Sequence, residues 1–388
     1  MWISREIWQN QLRSNSMKEQ KFWKNVEWFH FLFSIFVIWI HADNISSFTE
    51  AGAQVTGPFV LEGFIIKYLA NLGVAGFYLC SGYLFYRGFT MEKLSGKWKS
   101  RVKTLVLPYI VWNLIYYILH YVVLQIPKLA GMFADRPISL SWRSVLDAVI
   151  WYRYNPVFWY LQFLIIFVFL CPVIYVLLKN RYVGAVVLTG VLLLQSGIFY
   201  QVQPQMVDSL LNWFVVYGTG AWLGLHGKRW VENTSKGPGH IGENGSKGSG
   251  HIGENTLKGS GPLGENLGLV ISGICMLLTG ILYGKGINVV FSLLYFLAGA
   301  VFFWLLLNKI VKHEAKSWMK LTFFVYASHQ MVVSVVTKLG MRILGANVWI
   351  GLFLFIAAPI YSFFIAWICK KILSGRAKCV WNLLTGNR

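Results

Sequence analysis

Ten apolar stretches recur along the chain, at roughly 26–42, 64–86, 104–125, 157–178, 183–200, 209–226, 267–284, 288–308, 319–338 and 348–369. A helix needs about 20 apolar residues to cross a hydrocarbon layer some 30 Å thick, and these runs come close to or reach that length. Inside lipid a backbone has no water to bond, so an open chain must satisfy itself within each segment. The fold class that follows is an all-α integral membrane protein with about ten transmembrane helices. Charged residues make up only 13% of the chain, about half the usual share in a soluble domain, and the deficit is spread over its length.

Lys and Arg fix the orientation. With the N-terminus inside, the inward segments 1–25, 87–103, 179–181, 228–266, 309–320 and 370–388 hold 27 of the 35 basic residues. The positive-inside rule then places both termini in the cytoplasm, which requires an even number of spans. The formal net charge of +20 sits between spans rather than on one polar domain, so it does not indicate nucleic acid. The outward segment 43–63 holds Asp43, Glu50 and Glu62 and no Lys or Arg. The outward segment 126–156 is mixed and aromatic, with Trp142, Trp151, Arg153 and Tyr154, a composition that suits either sugar stacking or an interfacial belt.

The chain divides into a cytoplasmic amphipathic arm (1–25), a membrane module with spans one to six (26–226), a flexible cytoplasmic loop (227–266), spans seven to ten (267–370) and a basic cytoplasmic tail (371–388). The arm lacks the apolar core and cleavage site of a signal peptide and reads as an interfacial helix. The loop repeats an eleven-residue unit, ENTSKGPGHIG, ENGSKGSGHIG, ENTLKGSGPLG, too polar and glycine-rich to bury a core. Its His240 and His251 do not add up to a metal site, and no metal is expected. The five cysteines form no CxxC pair and read as thiols without a disulfide.

One stretch carries more chemistry than the rest. Val26–Asn44, VEWFHFLFSIFVIWIHADN, places His30 and His41 eleven positions apart, about 16 Å along a helix. Ionisable residues on an apolar span are costly to insert and mark functional helices by default. Further on come GVAGFYLCSGYLFYR (73–87), KSRVKTLVLPYIVWNLIYY (99–117), VFWYLQFLIIFVFLCPVIY (157–175) and FFVYASHQMVV (323–333).

In order and spacing, these segments resemble the acyltransferase-3 family, ten-span membrane proteins that move acyl groups, usually acetyl, onto extracytoplasmic glycans. His41 falls on the histidine of the family's opening helix, which follows a basic residue and ten others. His30 stands where that basic residue is usually Arg or Lys, and a histidine is largely neutral near pH 7. Ser81, Gly82 and Tyr83 match the SGY signature, and Tyr326 and His329 match the late Tyr-x-x-His helix. The resemblance implies an O-acyltransferase, multi-pass in a bacterial plasma membrane. It would take acetyl-CoA or another acyl-CoA as co-substrate, with no bound cofactor. Its acceptor would be a cell-surface polysaccharide or lipid-linked glycan.

On that reading His41 is the catalytic base that takes the acceptor hydroxyl's proton. His30, Ser81, Tyr83 and His329 are second polar residues of the chamber, although Ser81–Gly82 equally suits close helix packing. Arg87, Lys99, Arg101 and Lys103 would bind the donor's phosphates from the cytoplasm, and Trp159 and Arg153 the acceptor. The alternatives are a glycan or lipid-linked sugar transporter, which would show repeated halves that are not visible here, and a catalytically degenerate sensor on the same fold.

Overall fold

Residues 5–41 contain neither glycine nor proline, and they form one unbroken helix, α1 (Arg5–His41), about 56 Å long. In the computed structural model, which describes residues 5–127, 138–196, 205–233 and 262–387, all regular structure is helical. The division expected at residues 25 and 26 falls inside α1, so the N-terminal arm and the first span are one rod.

After α1 come α2 (Ile45–Glu50), α3 (Gly57–Ile65), a π turn at Ile66–Ala70 and α4 (Leu72–Tyr86). Next are α5 (Leu94–Arg101), a second π turn at Val102–Val106, α6 (Leu107–Leu124) and α7 (Trp142–Ile150). The second π turn precedes Pro108, which has no N–H to give the Thr104 carbonyl. Helices α8 (Trp159–Phe169) and α9 (Cys171–Leu178) meet at a 67° bend, where Pro172 breaks the hydrogen-bond ladder. The remainder are α10 (Arg181–Leu194), α11 (Gln205–His226), α12 (Lys228–Asn233), α13 (Pro262–Gly284), α14 (Val289–Ile310), α15 (Thr322–Leu344), α16 (Val348–Arg376) and α17 (Lys378–Thr385).

Within the described residues each apolar stretch of the sequence thus holds a helix or a helix pair. Among the described residues six segments, in α1, α3–α4, α5–α6, α13, α14 and α16, are long and apolar enough to cross a membrane, and a seventh if the bent α8–α9 pair counts as one. Helices α11 and α15 are 22 and 23 residues long but more polar. The eleven-residue repeat lies largely outside the described residues; the segment that holds it begins as α12 and ends where α13 starts. The basic tail is helical: α17 lays Trp381 flat against Phe324 of α15, and Trp112 Nε1 of α6 donates to the Leu384 carbonyl at 2.9 Å.

Helix α1 is central and touches α4, α14, α15 and α16. On its other side α4 crosses α11 at glycines. A Cβ on Gly82 would lie 2.1 Å from the Tyr217 carbonyl oxygen, and one on Gly220 2.0 Å from that of Leu79. Backbones this close are what small residues permit in a membrane bundle. The Gly220–Gly224 spacing, common by chance in apolar segments, is here the contact surface.

Candidate active site

The chain leaves α1 at His41 in a turn held from three sides. Asp43 Oδ1 accepts from the Ile45 N–H at 3.2 Å, so this carboxylate caps α2 and does not orient His41. The Asn44 N–H donates to buried Glu62 at 3.1 Å, and the Asn44 amide donates to the Gly351 carbonyl at 3.0 Å. The last turn of α1 is therefore tied to α3 and α16.

From α15, His329 comes to meet His41, the ring centres 5.0 Å apart. Nδ1 of His329 lies 2.7 Å from the Tyr326 carbonyl and 3.2 Å from that of Val325. Carbonyls only accept, so in the neutral ring Nδ1 carries the proton and Nε2 is left as an acceptor. That Nε2 is buried and has no partner. Among the described residues no group hydrogen-bonds to the His41 ring, which keeps its nitrogens free for a substrate.

Tyr326 stacks on Phe158 (5.6 Å, 5°) and donates to the Val157 carbonyl at 2.8 Å, joining α15 to the start of α8. Tyr160 meets Tyr326 edge-on at 5.6 Å, and its hydroxyl lies 3.4 Å from Ser81 Oγ on α4. His41 and Tyr326 are enclosed by protein on nearly every side yet keep accessible surface. On α4 the partly exposed stripe Val74, Phe77, Ser81, Leu84 faces inward at helical spacing.

The residues expected from sequence sort into groups. His41 and His329 are in contact, and Ser81 reaches them through Tyr160 and Tyr326. His30 lies apart, lower on α1, its Nε2 3.3 Å from Cys80 Sγ and its ring stacked on Phe77. Tyr83 lies nearer the N-terminal part of α1, 5.8 Å from the Phe22 ring. With Cys80, Phe22, Phe29, Trp230 and Trp304 it lines a small apolar cavity of about 50 Å³. Trp159 belongs to an aromatic wall with Tyr78 and Trp213, and Arg153 is exposed 3.9 Å from Asp147.

The basic residues differ as sharply. Arg87 is bound on both edges, bidentate to Glu19 at 2.8–2.9 Å and through Nε to Glu232 at 2.7 Å, above the Phe22 ring. Those hydrogen bonds, Glu19's first, hold its guanidinium charged beyond its ordinary range. It staples α1, α4 and α12 together and is already neutralised. Lys99 and Lys103 are exposed. Arg101 is set deep near Tyr217, over the Phe85 ring, and among the described residues no carboxylate pairs with it. Lys97, beside it, donates to the Phe85 carbonyl.

Sequence reasoning passed over Tyr160, Trp213 and Asn155. One aromatic among many gives no signal for the first two; the Asn155–Pro156 step is at least a turn signal.

No curated protein and no solved structure matches the chain. A family model described as an acyltransferase domain matches residues 23–370, which takes in α4, α15 and the span of α1 with both its histidines. The chain belongs to the acyltransferase-3 family and is a membrane acyltransferase.

Proposed function

We propose that the protein transfers an acyl group, acetyl in the simplest case, from cytoplasmic acyl-CoA to a hydroxyl of an extracytoplasmic glycan or lipid-linked sugar in a bacterial plasma membrane. The observation that carries this reading is the His41–His329 pair: one imidazole with free nitrogens, beside a second whose tautomer is fixed by two backbone carbonyls. His41 takes the hydroxyl proton as oxygen attacks the thioester carbonyl; the tetrahedral adduct then collapses, the C–S bond breaks, and the proton on His41 passes to the departing coenzyme A thiolate, which leaves as the thiol. The acceptor nitrogen of His329 receives the N–H of the imidazolium that forms, a neutral counterpart of the carboxylate in hydrolase triads. Ser81 and Tyr160 supply hydroxyl donors for the negative charge that develops on the carbonyl oxygen.

Topologically, the reading takes ten crossings with both termini cytoplasmic: the seven apolar units plus α10, α11 and α15. The donor's phosphates sit at Lys97 and Arg101, where an unpaired, partly buried cation favours an anion. Arg87 is spent on its two carboxylates and contributes to the fold instead. The pantetheine arm runs past the apolar cavity and the His30–Cys80 contact towards His41.

Two experiments test this. NMR of the surface glycan, with and without alkali, should show ester-linked acyl groups in wild-type cells and none after deletion; unchanged esters would favour a transporter or sensor. In vesicles supplied with acetyl-CoA, Arg101→Gln should raise the donor KM by about 10- to 100-fold, the equivalent of losing one charge-assisted hydrogen bond. Lys99→Gln should stay within about twofold. Equal effects would remove Arg101 from the donor site.

A further inference from the structure

Asn155 is fully buried, and among the described residues neither its amide nitrogen nor its amide oxygen has a hydrogen-bond partner. Asparagine before a helical turn usually earns its place by capping, its oxygen accepting a backbone N–H two or three residues on. Here the backbone does that work. The Asn155 N–H donates to the Tyr152 carbonyl at 2.9 Å, and the Asn155 carbonyl accepts from the Phe158 N–H at 3.0 Å. The side chain is superfluous to the turn and leaves two polar atoms dry, which weakens the fold.

The same turn carries a second cost. Tyr152 has φ +40°, in the left-handed region that disfavours a bulky side chain, and its ring is partly buried against the core. The turn abuts the site: Val157, two residues on, accepts from Tyr326, Phe158 lies flat on the Tyr326 ring, and Tyr326 is one helical turn from His329. Gln330, next to His329, likewise leaves its Oε1 buried and unpartnered.

We infer that the Asn155 amide recognises the acceptor, its NH2 donating to one sugar hydroxyl and its carbonyl accepting from the neighbouring one. This rests on the acyl-transfer reading above. The 152–155 turn is the closed form of the acceptor subsite. It yields when a pair of adjacent hydroxyls arrives, because its strain and its orphaned amide make the closed state weak. The class of ligand is a polyhydroxylated sugar; a monohydric alcohol would satisfy only half of the amide.

The test uses the full chain in vesicles, with acetyl-CoA as donor and alkali-stripped envelope glycan from deletion cells as acceptor. Three quantities are read: thermal midpoint, thiol release without acceptor, and acceptor KM. Asn155→Leu, branched at the same carbon and apolar, should hold or raise the midpoint and leave acceptor-independent thiol release within twofold. Its acceptor KM should rise at least tenfold. A midpoint lowered by several degrees, or an unchanged acceptor KM, would overturn the inference, since the amide would then have an internal partner or no ligand. If Asn155→Leu does not insert, Asn155→Ser is read for KM against the same tenfold criterion. A wild-type protein that forms no glycan ester at all sinks the acyl-transfer reading itself, a result separate from any difference between variants.

Discussion

His41→Ala is expected to lower acyl transfer to the glycan by about 10²- to 10⁴-fold, the usual contribution of a positioned general base. The protein should still insert and melt close to wild type, because the His41 ring has no hydrogen-bond partner among the described residues and keeps some accessible surface. Alkali-labile esters counted by NMR, beside a thermal midpoint in detergent, separate the two effects. Retention of activity within tenfold would move the base to His329. A midpoint that falls together with activity would mean that His41 supports the bundle.

The second large effect is on the fold. Gly220→Leu should cost at least about 3 kcal/mol, at the top of the range for overpacking, and should leave little folded protein. The added Cβ meets the Leu79 carbonyl, a piece of helix backbone that cannot rotate aside as a side chain would. Gly190→Leu on α10 is the control, since nothing lies within 4 Å of a Cβ there. The monodisperse fraction after detergent extraction should collapse for the first and match wild type for the second. If both behave alike, the α4–α11 crossing is less tight than its glycines require.

Much of the architecture was legible because lipid leaves the backbone few options: within the described residues each apolar run holds a helix or a helix pair. The helical periodicity of α4 marks Ser81 as one stripe of a helix, but only packing decides that the stripe faces inward. His329 was legible only as a further polar residue through family resemblance; its contact with His41 was not, since 288 residues separate the two and no local pattern spans that distance. The basic cluster is illegible in another way. Arg87 and Arg101 look alike in sequence, and only the positions of Glu19 and Glu232 show that one is neutralised and the other is not. The Gly220–Gly224 spacing carries little weight until the facing carbonyls of Leu79 and Tyr83 are known.

The placement of α1 against α15 has a consequence for biosynthesis. The first helix is made with its histidine at the end and has contacts to α4 early, but the carbonyl-fixed imidazole that completes the pair is translated nearly 290 residues later. Through most of synthesis the opening helix waits in the bilayer without α15 and α16 beside it. A nascent chain therefore holds His41 without His329, and the paired site forms only after the late helices have inserted and docked.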